Sequence, residues 1–374
     1  MNESEKIFPE DRMTSRERLL AAYRGRDIDR LPFWPKVTNA TWRSAQSAEV
    51  QALSDGELLD LIGADGIFFC ATGVRVHRPH VHQEFHHSDE CVITVTHTPD
   101  GDLDERWDID PDTTSRHPTV FAVKTLEDLK RYRWMYADAE VVIDQEQLTA
   151  ARAQVAAIGE RGIVKTCVGP SPLMQLVEYA IGVVETHAML ADFPDEMAEL
   201  MDLMGDLRLR QVEAVAKHTP ADMVLSIEDT STTLISPGQF ERFCLEHLSQ
   251  TGRIIESAGP MHEVHQCGQL QALLERIDTI PAAGIEAFTS PPLGDATLAD
   301  GRRLAPSKCL VGGTNVMTWL TPPERIEAAI TDELAACDDH RRIVLTTAGV
   351  APSGCPAEVF RRIARWLATM PVRM

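Results

Sequence analysis

The sequence contains no run of about 18 consecutive apolar residues, which is the length that a membrane-spanning helix requires. Its first 20 residues, MNESEKIFPEDRMTSRERLL, are charged and lack the apolar core of a secretory signal. Positive charge is also scarce, because 36 Lys and Arg are outnumbered by 57 Asp and Glu, for a formal net charge of −21. Nucleic-acid phosphates require patches of Lys and Arg, so we expect neither a nucleic-acid partner nor a membrane partner.

Two common nucleotide-binding motifs are missing as well. No G-x-G-x-x-G follows any predicted strand, and the chain has no P-loop. The eight cysteines are scattered over 374 residues without a secretion signal, which is typical of reduced thiols rather than of a disulfide framework. We therefore predict a cytoplasmic protein, in which a metal-binding cysteine must be identified from its context.

Short apolar strands alternate with amphipathic helices along most of the chain. This alternation predicts an α/β fold with a parallel sheet and right-handed crossovers. Eight strands favour a closed (β/α)₈ TIM barrel, and an open doubly wound sheet is the alternative. The predicted strands are 31–37, one ending near Cys70, 162–169, 222–229, 260–267, 285–290, 308–315 and 342–349.

We predict one domain over residues 1–374, with an N-terminal helical extension over 1–30 in which Thr14 or Ser15 caps a helix. Residues 71–120 interrupt the alternation and are expected to form an excursion over the barrel mouth. Within it, ECVITVTHTPDGDLDERWDI alternates apolar and polar residues around PDGD, which predicts a β-hairpin.

The excursion also contains the histidine-rich stretch VRVHRPHVHQEFHH, which includes His77 to His87. We interpret it as a solvated loop, and a second metal site is the alternative. Arg75 and Arg78 in this stretch are basic residues in an acidic protein, so they are candidates to contact an anionic ligand.

The predicted active site lies at the C-terminal ends of the barrel strands, where catalytic residues of such barrels are found. The fifth strand ends in HEVHQCG, in which His265 and Cys267 are two residues apart and would face the barrel mouth together. One imidazole and one thiolate form half of a tetrahedral zinc site, which Glu286 and Cys355 could complete. His262 has the opposite parity and should face the helices.

Two other interpretations of this motif remain open. His265 and Cys267 could be a hydrogen-bonded histidine and a buried thiol, or a nucleophile with its base. Glu228 and Asp229 follow the fourth strand, and with Glu286 they are the candidate catalytic carboxylates.

Several segments resemble the uroporphyrinogen decarboxylase superfamily, in the same order and over nearly the whole chain. They include MTSRERLLAAYRGRDIDRLPFWP, EDTSTTLISPGQFERFCLEHL, HEVHQCGQLQALLERI, CLVGGTNVMTWLTPPERIEAAI and GVAPSGCPAEVFRRI. The resemblance implies a (β/α)₈ barrel. The chain is most similar to the cobalamin-dependent methyltransferase branch, whose members move a methyl group between a corrinoid protein and an acceptor such as coenzyme M or tetrahydrofolate.

The thiol-methylating members bind zinc through H-x-C and a distant cysteine, and the zinc lowers the pKa of the acceptor thiol. The resemblance therefore implies His265, Cys267 and Cys355 as zinc ligands. The family cysteine directly follows the eighth strand, where this sequence has Ala348, and Cys355 comes seven residues later. In a tetrahydrofolate-type member, Asp229 and Asn315 would hold the pterin.

The chain lacks a corrinoid-binding D-x-H-x-x-G motif, so a separate corrinoid protein is the expected partner. A small-molecule methyl donor or acceptor is the other expected partner. The candidate cofactor-binding residues are Arg75, Lys165 and Asn315. A homodimer is left open.

Two other functions are considered. Decarboxylases of the superfamily carry an arginine-rich stretch after the first strand, whereas WPKVTNATWR has only Lys36 and Arg43. A metal-independent decarboxylase acting on a smaller acid, with Arg75, Arg78 and Lys165 as its carboxylate clamp, is the main alternative. A non-catalytic corrinoid- or ligand-binding barrel is the other.

Overall fold

The computed structural model describes residues 6–374. Fourteen strands are found in this part of the chain, most of them short. They are β1 (Phe33–Trp34), β2 (Gly66–Phe69), β3 (Val74–His77), β4 (His82–His87), β5 (Cys91–Thr98), β6 (Gly101–Ile109), β7 (Arg116–Val120), β8 (Glu140–Ile143), β9 (Gly162–Val168), β10 (Met223–Ile227), β11 (Met261–His265), β12 (Gly284–Thr289), β13 (Cys309–Thr314) and β14 (Ile343–Thr346).

The α-helices of the same residues lie mostly between the later strands. They are α1 (Ser15–Tyr23), α2 (Ala40–Ser44), α3 (Ala48–Gln51), α4 (Asp55–Ile62), α5 (Leu126–Tyr132), α6 (Gln145–Ile158), α7 (Pro172–Gln175), α8 (Val183–Asp192), α9 (Pro194–His218), α10 (Pro237–Gln239), α11 (Leu245–Ala258), α12 (Leu274–Asp278), α13 (Leu298–Leu304), α14 (Pro323–Ala335) and α15 (Ala357–Ala368). A π-helical turn, Leu176–Ala180, continues α7, and another, Phe240–Cys244, joins α10 to α11.

Eight of the strands form one parallel sheet in the order β1-β14-β13-β12-β11-β10-β9-β2. The two end strands approach each other, because the backbone N–H of Asp65, just before β2, donates to the carbonyl of Phe33 in β1 at 2.8 Å. The sheet is therefore a nearly closed (β/α)₈ barrel, which confirms the predicted fold class over the open sheet. The C-terminal ends of all eight strands meet at one rim.

The N-terminal helix α1 packs against the opposite end of the barrel. Thr14 caps it through a capping box with Glu17, as the sequence predicts. At the end of the barrel where the strands begin, Arg18 and Arg30 are buried and form ion pairs with three aspartates: Asp11, Asp29 and Asp65. This network joins the extension to the starts of β1 and β2.

The excursion after β2 is larger than the predicted hairpin. The hairpin itself is confirmed as β5 and β6, and β4 and β7 extend it to a four-stranded antiparallel sheet. The prediction of a loop over His77 to His87 is wrong, because β3 pairs with β8, and β4 pairs with β5. β4 is exposed along most of its length, so its sequence lacks the alternation of apolar and polar residues that identifies a strand. Its extended conformation depends on backbone pairing with β5.

Other differences are local. The first strand is only two residues long, because Pro32 and Pro35 flank it and cannot donate backbone hydrogen bonds. Helices α2, α3, α6, α8 and α13 were not predicted from the sequence. Within residues 6–374, no helix combines the length and the apolarity needed to cross a bilayer.

Candidate active site

Three side chains with potential metal-ligand atoms meet at the ends of two neighbouring strands. Oδ1 of Asp229, after β10, lies 3.1 Å from Nε2 of His265, the last residue of β11. The thiol of Cys267 donates to the same oxygen at 2.9 Å. Within residues 6–374 no other group of three or more His, Cys, Asp and Glu side chains brings its ligand atoms within 4.8 Å of one another.

The strand register explains why these residues meet. β10 and β11 are parallel, and Ile227 lies opposite His265, so Asp229 and His265 are on adjoining strand ends. The backbone N–H groups of Glu228 and Asp229 both donate to the carbonyl of His265 at 3.1 Å. Asp229 has a φ of +44°, in the left-handed region that Asp tolerates better than most residues, and the turn directs its carboxylate toward His265.

Glu286 orients the histidine from the next strand. It lies opposite His265 in the β11–β12 pairing, and its carboxylate accepts a hydrogen bond from Nδ1 of His265. Lys36, just after β1, forms an ion pair with the same carboxylate. Burial opposes ionisation of Glu286, but Lys36 and His265 together lower its pKa well below the usual value. The imidazole is thereby held with Nε2 toward Asp229 and Cys267.

The chemistry of the three donors fits zinc. Zinc sites in proteins use histidine nitrogen, cysteine sulfur and carboxylate oxygen, and catalytic sites use three protein ligands with one position open. Ligand atoms around a tetrahedral zinc ion are roughly 3.4 Å apart, close to the 3.1 Å between His265 and Asp229. The hydrogen bond from His265 to Glu286 is also the usual arrangement around a zinc-bound histidine.

The structure does not bring Cys355 to this group. Its side chain lies in the hydrophobic core, and its carbonyl accepts a hydrogen bond from the indole of Trp42 at 2.8 Å. Burial raises the pKa of the Cys355 thiol to about 12. Asp229, which the sequence indicates as a catalytic carboxylate, instead supplies the third potential ligand atom.

Two further carboxyl groups, the fully buried Glu228 and the partly buried Glu178, lie beside Asp229, His265 and Cys267. Glu228 accepts hydrogen bonds from the backbone N–H and the hydroxyl of Ser171 at 2.7 and 2.6 Å, and burial raises its pKa to about 7. Glu178 belongs to the π-helical turn after α7. Burial, followed by the charges of Asp229 and Glu228, raises the pKa of Glu178 to about 8.

Glu178 and Lys36 lie at this site but were not predicted from the sequence as site residues. Glu178 is the one acidic residue of PSPLMQLVEYAIG, which has the pattern of an ordinary packing helix. The available signal was its place in the first helical segment after β9, at the rim formed by the C-terminal ends of the strands. Lys36 lies at the same rim, two residues after β1.

The three predicted cofactor-binding residues, Arg75, Lys165 and Asn315, lie in separate parts of the structure. Arg75 is exposed on β3 and forms an ion pair with Asp144 at 3.0 Å. Lys165 is fully buried inside the barrel, where it contacts Glu263 and the hydroxyl of Tyr23. Asn315 caps the 3₁₀-helical turn that follows β13. His262 turns away from the site, as its position on the strand predicts, and its ring forms hydrogen bonds with Ser226 and the carbonyl of Pro281.

Comparison with known proteins gives the family. The sequence profile described as uroporphyrinogen decarboxylase (URO-D) matches residues 111–366, well over half of the chain. The chain therefore belongs to the uroporphyrinogen decarboxylase family, as the resemblance implied. No curated protein matches the sequence.

A solved structure of similar length has the same fold. A methyltransferase from Methanosarcina mazei is 17% identical with a TM-score of 0.60, and the match covers 95% of this chain and 98% of that one. A Listeria monocytogenes protein with the provisional name vitamin-B12-independent methionine synthase is 14% identical with a TM-score of 0.36, over 59% of this chain and 66% of that one.

Proposed function

We propose that this protein is a methyltransferase that moves a methyl group between a corrinoid protein and a small thiol, with a zinc ion bound by Asp229, His265 and Cys267. The observation that carries the proposal is the meeting of these three ligand atoms at the catalytic rim, within 4.8 Å of one another. Membership of the family and the shared fold with the Methanosarcina methyltransferase support it.

Each residue of the site has a distinct role in this proposal. Asp229, His265 and Cys267 hold the ion and leave one position of a tetrahedral site for the substrate thiol. When bound, zinc supplies Lewis acidity that lowers the pKa of that thiol, so that the nucleophilic thiolate exists at neutral pH. Glu286 keeps the His265 ring in its binding orientation, and Lys36 keeps Glu286 ionised.

A thiol has better support than tetrahydrofolate as the methyl acceptor. The amide of Asn315, which would hold a pterin, is already engaged. Its Oδ1 accepts from the N–H of Thr318 at 3.2 Å, and its Nδ2 donates to the carbonyl of Pro291 at 2.9 Å. Asp229 is likewise committed to His265 and Cys267. We propose that the corrinoid is carried by a separate protein, because this chain has no D-x-H-x-x-G motif.

The decarboxylase alternative loses its carboxylate clamp. Arg75, Arg78 and Lys165 were expected to act together on a substrate acid. Arg75 is instead paired with Asp144 on an exposed strand, Lys165 is enclosed with Glu263, and Arg78 donates to the carbonyl of Met135.

The proposal is tested by mixing zinc-loaded protein with free methylcobalamin and coenzyme M, and recording the absorbance change as cobalamin loses its methyl group. We expect turnover by the wild type and a loss of at least about 100-fold in Cys267→Ala, because a ligand and the activated thiolate are lost together. The matched control is Cys70→Ala, which removes a partly buried thiol at the end of β2 and should retain turnover.

Demethylation that is equally fast in Cys267→Ala would refute the thiolate mechanism. Methylcobalamin consumption with tetrahydrofolate but with no thiol would instead assign the folate acceptor. Tight cobalamin binding without any turnover would support the non-catalytic barrel.

A further inference from the structure

A polar cavity lies beside the loop that follows β9, and Pro170 and Pro172 of that loop line it. Its volume is about 170 Å³, which is room for several waters or one small ligand, since liquid water occupies roughly 30 Å³ per molecule. The polar side chains around it are mostly hydrogen-bond donors or neutral groups. They are Arg78, Tyr132, Tyr136, Gln175, Arg208 and Gln211.

Neither arginine of this cavity has an acidic partner. Within residues 6–374 no carboxylate oxygen lies within the 4.0 Å of an ion pair from Arg78 or Arg208. Arg208 donates hydrogen bonds to the amide oxygens of Gln211 and Gln175, at 3.3 and 3.4 Å, and Arg78 donates to the carbonyl of Met135 at 2.8 Å. Two unpaired cations in a chain with 57 acidic residues require an explanation.

The guanidinium of Arg208 is partly buried and tightly placed. A Cβ atom at position 169 would collide with its Nη2, so Gly169 leaves the space in which the guanidinium lies. Burial, the largest influence, and the nearby Arg78 both lower the pKa of Arg208. A partly buried charge without a partner still carries a desolvation cost, and an anion between the two guanidinium groups would offset it.

The nearest acid does not fill this role. Glu228 acts on Arg208 at longer range, and both of its oxygens accept hydrogen bonds from Ser171 instead. Pro170 and Pro172, on either side of Ser171, line the cavity. The cavity and the three ligand residues thus lie on opposite sides of a single chain segment.

We propose that this cavity is a binding site for a small oxyanion, the phosphate or carboxylate group of a ligand, held between Arg78 and Arg208. Planar guanidinium groups bind such oxygens through paired hydrogen bonds. The hydroxyls of Tyr132 and Tyr136 are 3.3 Å apart, so one of them bonds to the other and the second is free to donate to the anion. The site does not depend on methyl transfer.

The test is a thermal-shift titration of the whole protein with sodium phosphate and, separately, sodium acetate, each against sodium chloride of equal ionic strength. We expect a saturable rise in Tm, and the anion with the lower half-saturating concentration distinguishes a phosphate from a carboxylate group. Arg208→Gln and Arg78→Gln should each raise that concentration about tenfold or more. Arg210→Gln removes an equal charge from the same helix, outside the cavity, and should respond as the wild type does.

Two further outcomes make the test decisive. Cys267→Ala should keep the full response, which separates this site from the proposed zinc site. If Arg208→Gln does not fold, the Arg78→Gln variant on the other wall tests the same site. The absence of a saturable shift with both anions, or equal responses of Arg78→Gln and Arg210→Gln, would overturn the proposal.

Discussion

Individual residues at the end of β11 follow strand alternation closely. His265 and Cys267 point to the rim, although the strand ends at His265 and only one further backbone bond, from the N–H of Gln266 to the carbonyl of Glu286, continues the ladder. His262 points the other way, as its parity predicts. Side-chain direction on a strand could therefore be predicted from the sequence, because the period of two is a property of the backbone.

The third proposed ligand, Asp229, could not be predicted in the same way. Cys355 lies in a loop nine residues beyond the end of β14, and the spacing of residues in a loop does not determine where a side chain points. The left-handed backbone at Asp229, which turns its carboxylate toward His265, has no signal in the sequence beyond the identity of the residue. The position of Cys355 and the direction of the Asp229 carboxylate are both set by local backbone conformation outside helices and strands.

His262 should make stability depend on pH. Its ring is fully buried and neutral, with Nδ1 donating to the carbonyl of Pro281 and Nε2 accepting from Ser226, and burial lowers its pKa to about 4. An unfolded histidine titrates near 6.5, so the unfolded chain alone gains this proton as the pH falls from about 6.5 to about 4. This group should remove about 3 kcal/mol from the free energy of unfolding across that interval.

Urea unfolding at pH 7.0, 5.5 and 4.5 measures this effect. In His262→Gln the loss of stability on acidification should be smaller than in the wild type, whatever the variant costs at pH 7.0. The control is His86→Gln, an exposed histidine on β4 whose removal should leave the pH profile unchanged. Identical acid sensitivity in the wild type and His262→Gln would contradict the assignment.

At the scale of elements, the barrel strands were predictable and the excursion was only partly so. Buried strands such as β9, β10 and β13 are mainly apolar segments between turn residues, a pattern that burial of both faces of a parallel sheet favours. The exposed strand β4 carries no such pattern. β4 is extended because its backbone pairs with β5, and the residues of β4 alone do not predict this pairing.

The junction between α1 and the barrel offers a prediction about stability. Asp65 is fully buried and accepts hydrogen bonds from Arg18 at 2.6 Å, from Arg30 at 2.8 Å and from the N–H of Phe33 at 2.9 Å. Asp65→Asn should lower the free energy of unfolding by about 3–5 kcal/mol, because it leaves two buried guanidinium groups short of a partner charge. The shift of the urea midpoint measures this loss.

An exposed ion pair provides the matched control. Asp55, whose side chain is 54% exposed, pairs with Arg43, and Asp55→Asn should cost less than about 1 kcal/mol. If Asp65→Asn shifted the urea midpoint no more than Asp55→Asn does, the network would not stabilise the junction.

At the scale of the whole molecule, regular alternation of strands and helices was sufficient to predict a closed barrel. Each strand needs burial on both faces, and eight consecutive units provide it by closing on themselves. The closure also brings β10, β11 and β12 together at one rim, so residues 57 positions apart in sequence, Asp229 and Glu286, contact the same histidine. Their convergence follows from the topology, whereas the identity of the ligands depends on local geometry.

The central claim is that Asp229, His265 and Cys267, rather than Cys355, hold a zinc ion. The most direct measurement is the zinc content per chain of the purified wild type and of single alanine variants, by mass spectrometry of the metal after extensive dialysis. The account predicts about one zinc per chain in the wild type and in Cys355→Ala, and little or none in Asp229→Ala and Cys267→Ala. Wild-type protein without stoichiometric zinc, or a loss of zinc in Cys355→Ala with retention in Asp229→Ala, would contradict it.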